Sequence, residues 1–210
     1  MRALLRGCLC LLLLALQPSC ALTSKADAKS ARYFNPERTP NGPSQAAAQP
    51  FELRLGQVSS ASHLDERISF RVSSSEVGFY DDLRWTEIPE AYLRRALERE
   101  LFEERKLSRI VSGVAPILDV ELTSFEELRE KPPKARVTLT FSLRDERRSL
   151  LERSLELEQP LVERAGSDPA QRLAQALAAT LAQAVQMVGA EVTARLGEAA
   201  KAEPPPTAAP

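Results

Sequence analysis

An α/β chain of the α+β kind is predicted: a single mixed or antiparallel sheet with two helices packed on one face, in the order β-β-α-β-β-β-α. Three observations predict it. Several runs alternate apolar and polar residues, the period of a strand with one buried face. Two longer runs repeat apolar residues at three- and four-residue spacing, the period of an amphipathic helix. The last three strand-like runs are joined by turns too short for a crossover, which makes them an antiparallel meander.

The chain opens on "MRALLRGCLCLLLLALQPSC". Arg2 and Arg6 form a positive n-region, and the apolar core Leu9 to Leu16 stops at Gln17-Pro18. That core is shorter than the roughly 20 apolar residues of a spanning helix, so residues 1–19 are expected to be a signal peptide and to stand outside the fold. Ser19 before Cys20 is a small residue at the position where a lipoprotein signal peptidase cuts, which would leave Cys20 as the first mature residue and the lipid attachment site. The other readings are an ordinary secretory cut near Ala15 or Ala21, giving a soluble periplasmic protein, and a retained membrane anchor. Cys8 and Cys10 lie in the leader, so the mature chain would hold one cysteine, no intramolecular disulfide, and a thiol that acylation protects.

Residues 20–50 are rich in Ala, Ser, Pro and Asn without a sustained period and read as a flexible tether, with a short turn or strand at Tyr33-Phe34. "FELRLGQV" then turns Phe51, Leu53 and Leu55 one way and Glu52 and Arg54 the other, and "RISFRV" repeats the pattern with Ile68, Phe70 and Val72. "SSSEVGFYDD" reads as a turn. Tyr92, Leu93, Ala96, Leu97 and Leu101 recur at helical spacing behind Pro89, with Thr86 as the expected N-cap, so a helix is predicted from about Ile88 to Arg105. Leu118, Val120 and Leu122 begin the meander, Val137, Leu139, Phe141 and Leu143 continue it, and Leu155 and Leu157 close it. Asp168, Pro169 and Gln171 have the spacing of a capping box. The helix behind them carries a stripe of Leu173, Leu177, Leu181, Val185, Val188, Val192 and Leu196 on an alanine-rich body. The stripe faces the core, and the alanines also suit a close helix contact in a homo-oligomer. Residues 197–210 form a disordered Pro/Ala-rich tail. The folded segment, 51–196, spans about 146 residues, the size of one domain.

Losing Arg2 and Arg6 with the leader takes the 28 basic residues to 26 against 29 acidic ones, a net charge of -3. That balance gives no electrostatic footprint for nucleic acid. His63, the chain's single histidine, lies in "SSASHLDE" and reads as a solvent-exposed loop residue. The chain lacks the spacings of zinc, dinucleotide, P-loop and serine-hydrolase sites. Asp81-Asp82 and Glu126-Glu127 lack calcium-loop spacing and read as solvated faces. No enzyme, no metal and no cofactor is expected. What remains is surface. Phe79, Tyr80 and Trp85 bring three of the eleven aromatic residues just ahead of the first helix. With Arg84 and Phe125 they are candidates for partner binding, because aromatic side chains desolvate large areas at low entropic cost. A core role for Trp85 and a structural role for Arg84 beside "YDD" are the alternatives.

The order of these features resembles the ABC-type transport auxiliary lipoprotein components. The resemblance runs over roughly residues 50 to 196. It is carried by "FELRLGQV", by Leu64-Asp65-Glu66-Arg67, by Tyr80, Trp85, Glu87 and Pro89 ahead of the first helix, by the strand "PILDVELTSFEE" ending in Phe125 and Glu126, and by the paired strands and alanine-rich helix that follow. It implies a non-catalytic outer-membrane lipoprotein, triacylated at Cys20 with palmitate among its acyl chains, and facing the periplasm. Its implied partner is a periplasmic protein of the mammalian-cell-entry type, served by an inner-membrane ABC permease and ATPase in lipid transport between the membranes. An envelope structural or assembly lipoprotein, binding protein or peptidoglycan without lipid transport, is the alternative. A carrier of hydrophobic ligand would need a large apolar cavity, and the inward residues counted above suffice only to fill a core.

Overall fold

The computed structural model describes residues 30–37, 47–162 and 166–202. The elements are β1 (Arg32–Phe34), β2 (Glu52–Ser60), β3 (Arg67–Ser73), β4 (Glu76–Trp85), α1 (Pro89–Glu98) continued by a π-helical turn (Arg99–Glu104), β5 (Ser108–Arg109), β6 (Ile117–Leu128), β7 (Lys134–Arg144), β8 (Ser149–Pro160) and α2 (Pro169–Ala202).

β6 is the spine of one mixed sheet. On one side it pairs antiparallel with β7, which pairs antiparallel with β8, the expected meander. Its other side is shared: β2 runs parallel to Ile117–Leu122, and β3 runs parallel to Glu126–Leu128. Residues 61–66 leave the sheet between these two stretches, and Leu64 turns back into the core at 6% exposure. His63 on this excursion is half-buried, with its Nε2 shielded and without a hydrogen-bond partner among the described residues, and is not the solvent-exposed loop residue expected. β4 returns antiparallel to β3, and β1 adds parallel to β4.

"SSSEVGFYDD" is the main departure from expectation: the turn is confined to its start, and Glu76–Trp85 is a strand. The register between β3 and β4 slips from Ser69 opposite Phe79 to Arg67 opposite Arg84, so extra β4 residues bulge out. The bulge breaks the two-residue period that sequence reading relies on. Gly78 makes room here for the Phe70 ring, which stands 2.5 Å from where a Cβ would lie and would have to move to admit one.

Both helices cover the same sheet face. α1 turns Tyr92, Leu93 and Leu97 inward, and Leu101 follows from the π-helical turn. Its N-cap position is Ile88 and not Thr86. Instead the Tyr92 hydroxyl accepts the Glu87 N–H at 2.8 Å and shares a hydrogen bond with the Thr86 hydroxyl at 2.7 Å. In α2 the Asp168 carboxylate accepts the Ala170 N–H at 3.1 Å, which caps the helix. The seven stripe residues of α2 are all buried, each contributing about 1.5–3 kcal/mol of apolar burial. α2 is long and apolar enough to cross a membrane by composition, yet it packs as the core helix over β7 and β8.

The opposite sheet face is polar. Thr138, Thr140 and Ser142 lie on it, with Arg71, Glu126, Arg136 and Glu158 forming a row that alternates in charge from β3 to β8. Glu126 and Glu127 therefore point to opposite faces and make no acidic pair, and Glu126 is fully buried rather than solvated.

Candidate functional site

The five candidate residues divide among four environments. Trp85 and Phe125 are 1% exposed and belong to the core, with ring centroids 5.0 Å apart at 36° and the Tyr92 ring edge-on to Trp85 at 6.5 Å. Neither is open to a partner. Phe79 points to the polar face, where the Arg67 guanidinium lies 4.2 Å over its ring. Arg84 donates to the carbonyls of Tyr80 (2.8 Å) and Leu83 (3.0 Å) and so braces the β4 bulge.

Tyr80 joins a cluster that the sequence did not announce. Its ring meets Phe70 edge-on at 5.1 Å, and its hydroxyl donates to Glu127. The Arg129 guanidinium stacks over Phe70 at 3.2 Å and over Tyr80 at 4.9 Å. Burial, and the Glu127 carboxylate beside it, push the Tyr80 phenol above its ordinary range. Phe70, Glu127 and Arg129 come from β3 and the end of β6, far apart in sequence, and only their register brings them together. The guanidinium is held against both rings and lies 3.5 Å from the Glu127 carboxylate.

A second feature is the strap formed by residues 30–37. Arg32 bonds Asp168, Phe34 accepts the Thr86 N–H at 3.0 Å, Pro36 is buried, and Glu37 pairs with Arg95, which also holds Glu87 at 2.9 Å. The strap borders two grooves along the alanine flank of α2, at Ala174, Ala178 and Ala182. The one between α1 and α2 holds about 160 Å³, below the roughly 300–1,000 Å³ of small-molecule sites, and the one beside Tyr33 and Phe34 holds about 660 Å³ but is a shallow, open groove. Among the described residues the clefts are open grooves, and no group of three His, Cys, Asp or Glu is placed to hold a metal.

The strap carries a pH prediction. The hydrogen bond from Arg32 holds Asp168 below the ordinary aspartate range, burial opposes this, and the Ala170 N–H adds to it. Because folding lowers this pKa, the contact stabilises above the unfolded value and is lost as the pH falls through the folded one. Below about pH 4 the strap should loosen, and Arg32→Ala should reduce that pH dependence, leaving the smaller share that comes from the Ala170 N–H. Amide protection of Arg32–Phe34 measured against that of β6 checks it; equal pH profiles in wild type and variant would exclude the contact as the cause.

Cys20 lies outside the described residues. No curated protein matches the chain. Among solved structures, protein XCC0632 from Xanthomonas campestris superposes with a TM-score of 0.66 at 18% identity, covering 81% of this chain and 99% of its own. An uncharacterized protein gives 0.58 at 15% identity, covering 78% and 99%. The hypothetical protein CT253 from Chlamydia trachomatis gives 0.50 at 11% identity, covering 70% and 97%. At these identities the likeness is one of fold. The family model for ABC-type transport auxiliary lipoprotein components matches residues 35–193, from the strap through most of α2, and the chain belongs to that family as a non-catalytic auxiliary lipoprotein linked to ABC-type transport machinery.

Proposed function

We propose that this chain is held at the periplasmic face of the outer membrane by a lipid on Cys20. From there it docks on a periplasmic protein of the mammalian-cell-entry type, served by an inner-membrane ABC permease and ATPase, and assists the passage of lipids or other hydrophobic molecules. The match of the family model over residues 35–193 carries the reading. The geometry favours docking over ligand carriage, since the space between sheet and helices is filled by one continuous apolar cluster from Leu53 to Leu196. Tyr80 and Phe79, each stacked with an arginine, are the candidate aromatic contacts.

In this layout residues 1–19 are the leader, 20–50 the tether, 51–196 the auxiliary domain and 197–210 the tail. The tether is anchored before it ends, because Arg32–Phe34 pairs with β4, and α2 extends the domain to Ala202.

Intact mass of the full-length protein from a Gram-negative envelope fraction tests the anchor. A triacylated chain starting at Cys20, lost in Cys20→Ser, is the expected result. Co-purification of the wild-type lipoprotein with a mammalian-cell-entry-type protein tests the docking. An unmodified chain cut near Ala21 would overturn the anchor; an acylated chain that captures envelope structural proteins instead would favour the assembly role.

A further inference from the structure

β8 ends the sheet, and among the described residues no strand pairs with its outer side. It is a long edge for a soluble protein: twelve residues, with a continuous register from Lys134 opposite Pro160 to Leu143 opposite Leu151. Natural edges of this length are usually blunted by bulges, prolines or charged side chains, lysines above all. Here the irregularity lies only at the β7–β8 turn, Pro160 closes the far end, and the protection between them is charge, Glu152, Arg153, Glu156 and Glu158, which discourages an acidic strand and admits a basic one.

The direction of its backbone groups follows from one bond. Leu161 N–H donates to the Pro133 carbonyl at 2.9 Å, so this opposed pair is of the hydrogen-bonded kind. Such pairs alternate along an antiparallel ladder, so the odd-numbered residues Leu151 to Gln159 bond β7. Glu152, Ser154, Glu156 and Glu158 then aim their N–H and C=O groups outward. The Leu150 carbonyl fits the same sense and is taken by Arg195 of α2 at 2.6 Å, at the end of the strand. Four consecutive outward positions remain open between that contact and Pro160.

The side chains around this edge specify what fits it. On the polar face Glu152, Ser154, Glu156 and Glu158 follow one another. Lys134 (2.9 Å) and Arg136 (2.6 Å) hold Glu158, and Arg136 also lies 3.8 Å from the more exposed Glu156, so Glu152 and the loosely held Glu156 are the carboxylates that meet a newcomer. On the helix face Leu151, Leu155 and Leu157 are only half-buried. Above them Met187, 37% exposed, lies on the flank of α2 whose Thr180 reaches Gln159 and whose Glu191 reaches Arg153. A second copy of β8 does not suit the edge: matching faces places even-numbered residues opposite even-numbered ones, and three of those are glutamates.

We propose that the outer edge of β8 accepts an extended segment of a partner protein in which basic and apolar side chains alternate. Its basic residues face Glu152 and Glu156, its apolar residues pack beside Leu155 and Leu157 under Met187, and its backbone completes the ladder. This deepens the docking reading by naming the surface that takes the partner, and it rests on that reading only for the partner's biological identity.

The test uses the full-length chain in detergent and two fluorescent synthetic octapeptides, one alternating Lys with Val and one alternating Glu with Val. Fluorescence anisotropy should show saturable binding of the Lys peptide and none of the Glu peptide. Reversing both charges, Glu152→Lys with Glu156→Lys, should weaken the Lys peptide by roughly tenfold or more and create affinity for the Glu peptide. Ser154→Pro removes an outward N–H without touching the β7 ladder and should weaken binding in either background. Should that variant fail to fold, the charge-reversed pair still decides. Equal affinity of the Lys peptide for wild type and reversed protein, or no binding at all, overturns the proposal. No transporter component enters this assay, so its failure is separable from failure of the anchor or of co-purification.

Discussion

Trp85→Ala should destabilise the domain by about 3–5 kcal/mol, read by circular dichroism in urea. The indole is 1% exposed and joins three elements: it lies on Phe125 of β6, meets Tyr92 of α1 edge-on, and belongs to β4. Its backbone N–H is also bound, to the Glu66 carbonyl at 2.6 Å, so the strand entering α1 is fixed on both sides. Truncation removes the largest buried side chain and leaves a cavity between rings that belong to rigid elements, which cannot collapse to fill it. Trp85→Phe keeps an aromatic ring on Phe125 and should cost clearly less. A loss below about 1 kcal/mol for Trp85→Ala is the behaviour of a surface position, and it would return Trp85 to the candidate contact surface.

That outcome bears on which aromatic residues of β4 are contacts and which are core. Strand and helix periods made the meander, α1 and the α2 stripe legible, because each depends on neighbours in sequence: Leu118-Val120-Leu122 and Leu173-Leu177-Leu181 report their own burial. β4 was hidden because its bulge sets Phe79, Tyr80, Leu83 and Trp85 out of alternation. The same bulge explains why these residues look like one aromatic patch in sequence and are dispersed in space. Phe79 and Tyr80 are adjacent and so face opposite sides of a strand.

The Tyr80–Phe70–Arg129 stack was not legible for a related reason. It needs the parallel register of β3 on β6, which places Phe70 opposite Glu127, and no local pattern encodes a parallel pairing between segments about 57 residues apart. The β8 edge lay between these cases. The alternation of Leu155 and Leu157 with Glu156 and Glu158 marks a half-buried strand, but only the topology reveals that its outer side is unpaired. The family resemblance succeeded where single motifs were weak because it reads the order of elements, which the bulge does not alter.

Arg71→Ala should be the most damaging change on the polar face, at about 2–4 kcal/mol. Glu126 is fully buried, its Oε1 accepts from Arg71 Nε at 2.7 Å, and its Oε2 has no hydrogen-bond partner among the described residues. Arg136 stands opposite on β7 but donates to Glu158. Removing Arg71 therefore leaves a buried carboxylate with no direct donor, and the cost of an uncompensated buried charge exceeds the modest net worth of the pair itself. Because Arg71 is 21% exposed, water reaches the vacated site in part, which places the estimate toward the lower end of the usual range for buried pairs. The reverse deletion should behave differently. Glu126→Leu removes the buried charge, and Arg71 is exposed enough to turn its guanidinium to water, so this variant should cost about 1 kcal/mol or less. The double variant should then be more stable than Arg71→Ala alone. Urea denaturation of the four proteins, followed by the fluorescence of Trp85, measures the cycle. If Arg71→Ala and Glu126→Leu prove equally costly, the pair contributes through packing, and the asymmetry expected of a buried charge is absent.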